Sequence, residues 1–160
     1  MKTKLSALTL ALAGALTCIP AAGSTTHTLS VSATVSGNCR FNTAGPTALT
    51  IATGAGVIDP SAAGPATGSV GVAFRCTTGT SSAITADDGL NASGPGARRV
   101  KSGAVFMPYS LTLTNAVQVG TGFGAGQDKT VTVDASITAA NYQNATAGAY
   151  TDTVTLTITP

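Results

Sequence analysis

The last residues of the chain alternate strictly between apolar side chains and threonine. Val154, Leu156 and Ile158 lie on one side of this alternation and threonines lie on the other. A period of two is typical of a β-strand that buries one face. A strand this regular is usually central in its sheet, so we expect it to have a neighbouring strand on each side. The sequence ends at Pro160, and we therefore expect one of these neighbours to come from elsewhere.

A second alternating stretch lies near the other end of the chain, at residues 24–36. Small polar residues separate its apolar positions, which are Leu29, Val31, Ala33 and Val35. Gly37-Asn38 then ends the pattern before Cys39. Two interpretations are open: the stretch is an ordinary first strand of the domain, or it is a strand that pairs with another molecule.

Further short alternations between these two stretches predict strands separated by turns rich in glycine and proline. We predict strands at residues 49–51, 69–76, 83–86, 105–114 and 129–138, with a shorter one near residues 117–119. Residues 87–101 and 139–147 are predicted to be loops. Cys76 shares a face with Val70, Val72 and Phe74, so we expect it to point inward. Seven or so short strands without helical periodicity predict an all-β sandwich.

Residues 1–23 have the features of a Sec-type signal peptide. Lys2 and Lys4 precede an apolar run at residues 5–16, and small residues precede a predicted cut after Ala22 or Gly23. The run is too short to span a bilayer as a mature helix. We therefore expect an exported protein with a short N-terminal strand at residues 24–36 and a single domain at residues 37–160.

The charge of the chain excludes one large class of partner. The whole sequence carries a formal net charge of +2 from eight basic and six acidic side chains. Without Lys2 and Lys4 the charges balance, which argues against nucleic-acid binding because that function needs a basic surface. A neutral surface also does little to keep copies of the chain apart, which suits a protein that polymerises.

The cysteines point to a disulfide. Cys18 lies within the predicted signal peptide, so Cys39 and Cys76 remain as an even pair in an exported chain. A metal site or a redox pair is a weaker interpretation, because the single histidine, His27, is far away in the sequence and no ligand cluster is evident.

Candidates for chemistry are few. His27 lies in the N-terminal stretch, where packing would not fix it as a general base. Asp87-Asp88-Gly89 is typical of a polar turn more than of a cation site. The glycine-rich residues 122–126 lack the Lys-Ser/Thr of a phosphate loop. We therefore predict no catalytic residue, no metal ligand and no cofactor, and we expect that the protein is not an enzyme.

Two further groups of polar residues have structural interpretations. The basic cluster of Arg98, Arg99 and Lys101 is typical of a solvated loop. Tyr150 and Asp152 flank the start of the last strand, where we expect a corner tyrosine and a carboxylate that satisfies a turn.

The order of these features resembles a known family. An alternating N-terminal stretch leads to Cys39, a Val-x-Val-x-Phe-x-Cys strand ends at Cys76, and residues 148–158 read Gly-x-Tyr-x-Asp-x-Val-x-Leu-x-Ile. This pattern is similar to the spore coat protein U domain family, whose bacterial members include subunits of archaic (Csu-type) chaperone–usher pili. The resemblance covers essentially the whole mature chain, and the closing run is its most specific part.

The resemblance implies an immunoglobulin-like sandwich that lacks its last strand. A periplasmic chaperone lends a strand to such a subunit, and at the outer-membrane usher the N-terminal segment of the next pilin subunit replaces it. The protein would pass through the periplasm to a surface pilus that supports adhesion and biofilm formation. The implied donor residues are Leu29, Val31, Ala33 and Val35, and the implied acceptor and chaperone-contact residues are Tyr150, Val154, Leu156 and Ile158.

Two alternatives stay open at this point. One is a minor or tip adhesin subunit, although such adhesins resemble two-domain chains and only one domain is expected here. The other is a self-contained coat or matrix protein that folds without a chaperone. Purification discriminates between them, because a stable monomer without a partner favours the coat protein.

Overall fold

The computed structural model describes residues 23–43 and 45–160, so the predicted signal peptide lies outside the described residues except for Gly23. The described chain is almost entirely β, as predicted, and none of its helices is long and apolar enough to cross a membrane. The chain divides into two units, and the boundary along the sequence lies between Thr34 and Val35. The elements are β1 Cys39–Phe41, β2 Ala66–Cys76, β3 Ser81–Ala86, β4 Arg99–Ser102, β5 Val105–Pro108, β6 Ser110–Thr114, β7 Val117–Val119, β8 Lys129–Ile137, α1 Ala139–Tyr142 and β9 Leu156–Thr159.

The larger unit is built on a four-stranded antiparallel sheet with the order β1-β2-β8-β6. β2 and β8 form its centre, with Val72 opposite Val131 and Val70 opposite Val133. The alternation of β8 buries every second residue, and the prediction of its inward face is confirmed for Val131, Val133, Ala135 and Ile137. The long paired strands are therefore the frame against which the other elements pack.

A second sheet has the order β7-β3-β9, and β4 pairs with β5 in a separate hairpin. β9 pairs with β3 in the register Ile84 opposite Ile158 and Thr85 opposite Thr157. β9 is therefore an edge strand in the single chain, whereas its regular alternation predicts a central strand. Its other side has no partner strand among the described residues.

The buried side chains form two clusters in this unit. One contains Phe74, Cys76, Ile84 and Val131, and the other contains Val100, Met107, Ile137 and Tyr142. Leu156 and Ile158 pack against the first cluster, while Ile51 and Tyr150 pack against the second. The hydrophobic core is thus divided into two parts.

The predicted disulfide between Cys39 and Cys76 is present. The two cysteines are opposite each other in the β1–β2 ladder, and Cys76 is fully buried, as its place on the inward face predicts. The bridge closes a loop with a sequence separation of 37 residues. It fixes the start of the domain to the central strand β2.

Four predicted elements are wrong in detail. Residues 49–51 form no strand. The next residue, Ala52, forms an isolated β-bridge with Thr67. The predicted strand at 105–114 divides at Tyr109, because β5 pairs with β4 and β6 pairs with β8. The predicted loop 87–101 contains the start of β4, and the predicted connection 139–147 contains α1. Packing against the core accompanies two of these differences: Leu49 and Ile51 pack against the buried clusters, and Tyr142 of α1 is almost completely buried.

Removing the disulfide should destabilise the folded chain considerably. For a closed loop of this length, the loss of constraint on the unfolded chain is worth about 4 kcal/mol. We expect the Cys39→Ala/Cys76→Ala variant to lose roughly this much free energy of unfolding in urea titrations. Reduced wild-type protein is the matched control and should lose a similar amount. An unchanged urea midpoint on reduction would contradict a stabilising role for the bridge.

Candidate strand-binding groove

A long apolar groove runs over the inner face of the four-stranded sheet. Its volume is about 1140 Å³, which exceeds the roughly 300–1,000 Å³ of pockets that hold small molecules. Val70, Val72, Val133, Ala135 and Leu111 form its floor on the sheet side, and Val154 and Leu156 line its wall at the last strand. Residues of both hydrophobic clusters line the groove: Phe41, Leu49, Ile51, Ile58, Val100, Met107, Ile137, Tyr142 and Tyr150.

The wall of the groove at β9 has a free backbone edge. The Thr155 carbonyl accepts a hydrogen bond from the Asp87 N–H, and Thr157 and Thr159 are opposite residues of β3. Backbone groups of a strand point to alternate sides, so the N–H and C=O groups of Val154, Leu156 and Ile158 face away from β3. The same three side chains point inward. The edge therefore offers unpaired backbone groups beside an apolar surface, which is the arrangement that accepts an added strand.

Asp87 fixes the start of this wall to the end of β3. Its carboxylate accepts hydrogen bonds from the Thr155 N–H at 2.9 Å and from the Gly89 N–H at 2.9 Å. These two backbone bonds, with a smaller contribution from the charge of Arg98, lower the pKa of Asp87. Arg98 in turn donates to the Asp87 carbonyl at 2.6 Å. The segment that carries Val154 is thus held by directional bonds as well as by packing.

Asp152 fixes the same segment on its other side. Its carboxylate accepts hydrogen bonds from the Asn91 N–H at 3.1 Å, the Asn91 side chain at 3.0 Å and the Tyr109 hydroxyl at 2.8 Å. Burial, and then the bond to Asp152, raise the pKa of Tyr109. The Tyr150 hydroxyl donates to the Thr146 carbonyl at 2.9 Å. Tyr150 and Asp152 therefore have the structural roles that the sequence predicts, a corner tyrosine and a turn carboxylate.

Three of the four predicted acceptor residues line the groove, and one does not. Tyr150, Val154 and Leu156 line the groove. Ile158 does not line it, and packs instead against the cluster around Ile84. Sequence reasoning missed the lining residues Leu49, Ile51, Ile58, Val100, Met107 and Tyr142. The available signal was the recurrence of apolar residues in segments without an alternating pattern.

The predicted donor residues lie on a backbone with no regular structure. No β-ladder includes residues 24–36, so the alternation there has no strand partner within the described chain. In the smaller unit, Leu29 is 79% exposed and Val31 is 83% exposed. Val35, the first residue of the larger unit, is 83% exposed. These three apolar side chains are therefore largely exposed.

Residues 25–157 match the Spore Coat Protein U domain family. The chain belongs to this family. No curated protein matches the chain.

Two solved structures contain chains of similar shape. One is the CsuC–CsuE chaperone–tip adhesion subunit pre-assembly complex from archaic chaperone–usher Csu pili of Acinetobacter baumannii, with 18% identity, a TM-score of 0.48, and coverage of 78% of this chain and 40% of that chain. The other is described as a chaperone–tip adhesin complex vital for synergistic activation of CFA/I fimbriae biogenesis, with 17% identity, a TM-score of 0.45, and coverage of 77% and 41%. This spore coat protein U domain chain spans about two fifths of each.

The other candidate residues of this spore coat protein U domain chain have structural roles. Arg98 pairs with Asp88 at 3.6 Å and donates to backbone carbonyls. The Arg99 guanidinium and the Lys101 ammonium lie over the Phe106 ring, 4.2 and 5.4 Å from its centre. The glycine-rich loop accepts a hydrogen bond from Arg75 at the Phe123 carbonyl. No group of three metal-ligating side chains occurs in the described ranges.

The stability of the groove wall should depend on the charge of Asp87. Because its pKa is lowered on folding, the unfolded chain binds more protons near pH 4, and stability falls as the pH falls there. We expect Asp87→Asn to lower the free energy of unfolding by a constant amount above about pH 5. The difference from wild type should shrink as the pH falls from about 4 through the folded pKa. The measurement is a series of urea titrations between about pH 2.5 and pH 7.

The neighbouring residue gives the control. Asp88→Asn removes a carboxylate that forms an ion pair with Arg98 at 3.6 Å and makes no hydrogen bond to the Thr155 backbone, so it should change stability less. A difference between Asp87→Asn and wild type that stays constant from about pH 2.5 to pH 7 would contradict the role given to the Asp87 charge.

Proposed function

We propose that the protein is a structural subunit of a surface pilus, assembled by a chaperone–usher pathway through donor-strand exchange. The observation that carries the proposal is the apolar groove beside the free edge of β9. In this proposal, residues 24–36 of the next subunit fill the groove of the subunit before it. Fibres formed in this way extend from the cell and support adhesion and biofilm formation.

The chemistry of the N-terminal segment supports its role as the donor. A strand added beside β9 presents backbone groups to the free edge and every second side chain to the groove. Leu29, Val31, Ala33 and Val35 have this spacing, and Thr28, Ser30, Ser32 and Thr34 would then face solvent. Burial of an exposed valine or leucine is worth roughly 1.5–3 kcal/mol, so the four positions contribute several kcal/mol beyond the backbone hydrogen bonds.

The same two surfaces explain why partners are needed before assembly. An open groove and an exposed apolar segment on one molecule are an aggregation hazard. A periplasmic chaperone that covers the groove removes the hazard, and an outer-membrane usher is then the place where the next subunit replaces it. The proposal therefore includes export to the periplasm, these two partners and other pilin subunits. It includes neither nucleic acid nor an enzymatic activity.

Charge on the buried side of the donor should stop assembly. We expect Val31→Asp/Val35→Asp to abolish fibre formation, because each carboxylate would enter an apolar groove without a partner for its charge. The folded domain does not use these exposed side chains, so the variant should still form a chaperone-bound subunit. Electron microscopy of surface fibres and co-purification with the chaperone are the measurements.

The control places the same charges on the other side of the donor. Ser32→Asp/Thr34→Asp should leave assembly nearly intact, because these positions face solvent when the strand is added. Normal fibres from the Val31→Asp/Val35→Asp variant would show that the donor assignment is wrong.

A donor strand supplied within the same chain should make both the chaperone and the next subunit unnecessary for a stable fold. We expect a fusion of residues 27–36 to the C-terminus through a flexible linker to give a stable monomer. The appended strand can turn back antiparallel to β9 and fill the groove at a high effective concentration. Size-exclusion chromatography with light scattering and thermal unfolding measure the result.

The matched fusion carries aspartate at the positions of Val31 and Val35 in the appended copy only, and should remain prone to aggregation. Equal aggregation of the two fusions would contradict the open-groove proposal. An unfused wild-type chain that purifies as a stable monomer without any partner would favour a self-contained coat or matrix protein.

A further inference from the structure

Thr77, the residue directly after β2, holds the chain just before β1. The Thr77 N–H donates to the Asn38 carbonyl at 2.9 Å, which continues the β1–β2 ladder one residue beyond the cysteine pair. The Thr77 hydroxyl lies 3.1 Å from the Asn38 nitrogen and 3.3 Å from the Ser36 carbonyl. A hydroxyl has one donor and two lone pairs. It can therefore accept from Asn38 and donate to Ser36 at the same time.

These bonds keep residues 36–38 extended. Neither Gly37 nor Asn38 has a positive φ. A side chain at Gly37 would also be crowded, because its Cβ would lie 3.0 Å from the hydroxyl oxygen of Thr80. The extended path therefore depends on three features: the Thr77 hydroxyl, the continued ladder, and the absence of a side chain at Gly37.

The sequence at this point also suits a different path. Gly-Asn between two alternating stretches is typical of a two-residue hairpin loop, which needs a positive φ at its first residue or at both residues. β1 follows directly, and Phe41 of β1 lines the groove. A hairpin at Gly37-Asn38 would therefore turn residues 24–36 back along β1, towards the groove of their own chain.

Such a reversal would compete strongly with assembly. A donor on the same chain acts at an effective concentration in the millimolar range, whereas a donor on another copy acts at its actual concentration. Without an opposing interaction, the unimolecular reaction would remove subunits from polymerisation.

We propose that Thr77 is a positioning residue that prevents self-complementation. Its hydroxyl holds residues 36–38 extended, so that the N-terminal segment is presented to the groove of a second copy of the chain. This inference rests on the proposed donor-strand function. It adds the interaction that directs the donor strand to another copy instead of to its own groove.

The test compares Thr77→Val, which removes the hydroxyl at nearly constant shape, with Thr77→Ser, which retains it. Mature, oxidised chains are refolded at several protein concentrations and separated by size-exclusion chromatography with light scattering. Hydrogen exchange of the backbone amides at residues 29–35 is then measured in the monomer fraction. Protection of these amides in a monomer reports a strand in its own groove.

Wild-type protein and Thr77→Ser should give a small monomer fraction that decreases with concentration, with unprotected amides at residues 29–35. Thr77→Val should raise the monomer fraction about tenfold, the effect of losing one or two hydrogen bonds. That fraction should be independent of concentration, and its amides should be protected. A Thr77→Val monomer fraction equal to wild type, or one with unprotected amides, overturns the proposal.

A second variant decides the matter if Thr77→Val does not fold. Gly37→Asn/Asn38→Gly leaves Thr77 in place, creates a strong hairpin sequence and crowds Thr80 in the extended path. It should produce the same protected monomer, and an unchanged monomer fraction overturns the proposal. The Val31→Asp/Val35→Asp variant distinguishes the donor function from the positioning role of Thr77. If that variant still polymerised, the donor function itself would be contradicted, whatever the Thr77 variants do.

Discussion

The structure depends on a strand that is paired on one side only. β9 carries the apolar alternation of a buried strand, yet β3 is its one partner in the described chain. Its inward side chains and its free backbone groups belong to the same residues, since both follow from the period of two. A strand that pairs with these backbone groups therefore also covers these side chains. A β-strand with matching spacing meets both requirements at once, whereas a small apolar ligand would leave the backbone unpaired.

The rest of the domain keeps this edge open and well defined. β2 and β8 form a floor that does not depend on β9, and the disulfide ties β1 to that floor. Asp87 and Asp152 hold the segment before β9 through backbone and side-chain bonds. These contacts position the floor of the groove and the start of its wall without a bound strand. Pre-organisation of this kind reduces the cost of ordering when a strand binds.

The sequence predicts the elements whose pattern is local. The inward faces of β2, β8 and β9 follow from alternation, and the cysteine pairing follows from the even count in an exported chain. The wrong predictions lie where distant contacts decide. Leu49 and Ile51 have strand-like side chains but line the groove from an irregular segment, and Tyr142 is buried in a short helix that has no periodic signal. No local rule brings Met107 or Val100 to the groove, because their positions depend on the β4–β5 hairpin.

The alternation at residues 24–36 and 154–158 does not by itself decide which copy's groove the proposed donor strand enters. In the proposed function, the N-terminal stretch has the spacing that the groove of any copy would accept, including its own. Burial energy is the same in both cases, so the choice must come from the connection between the stretch and the domain. That connection is the extended backbone at residues 36–38, held by a single threonine and requiring a glycine. A few hydrogen bonds outside the groove can therefore decide whether the same apolar surface closes one molecule or joins two.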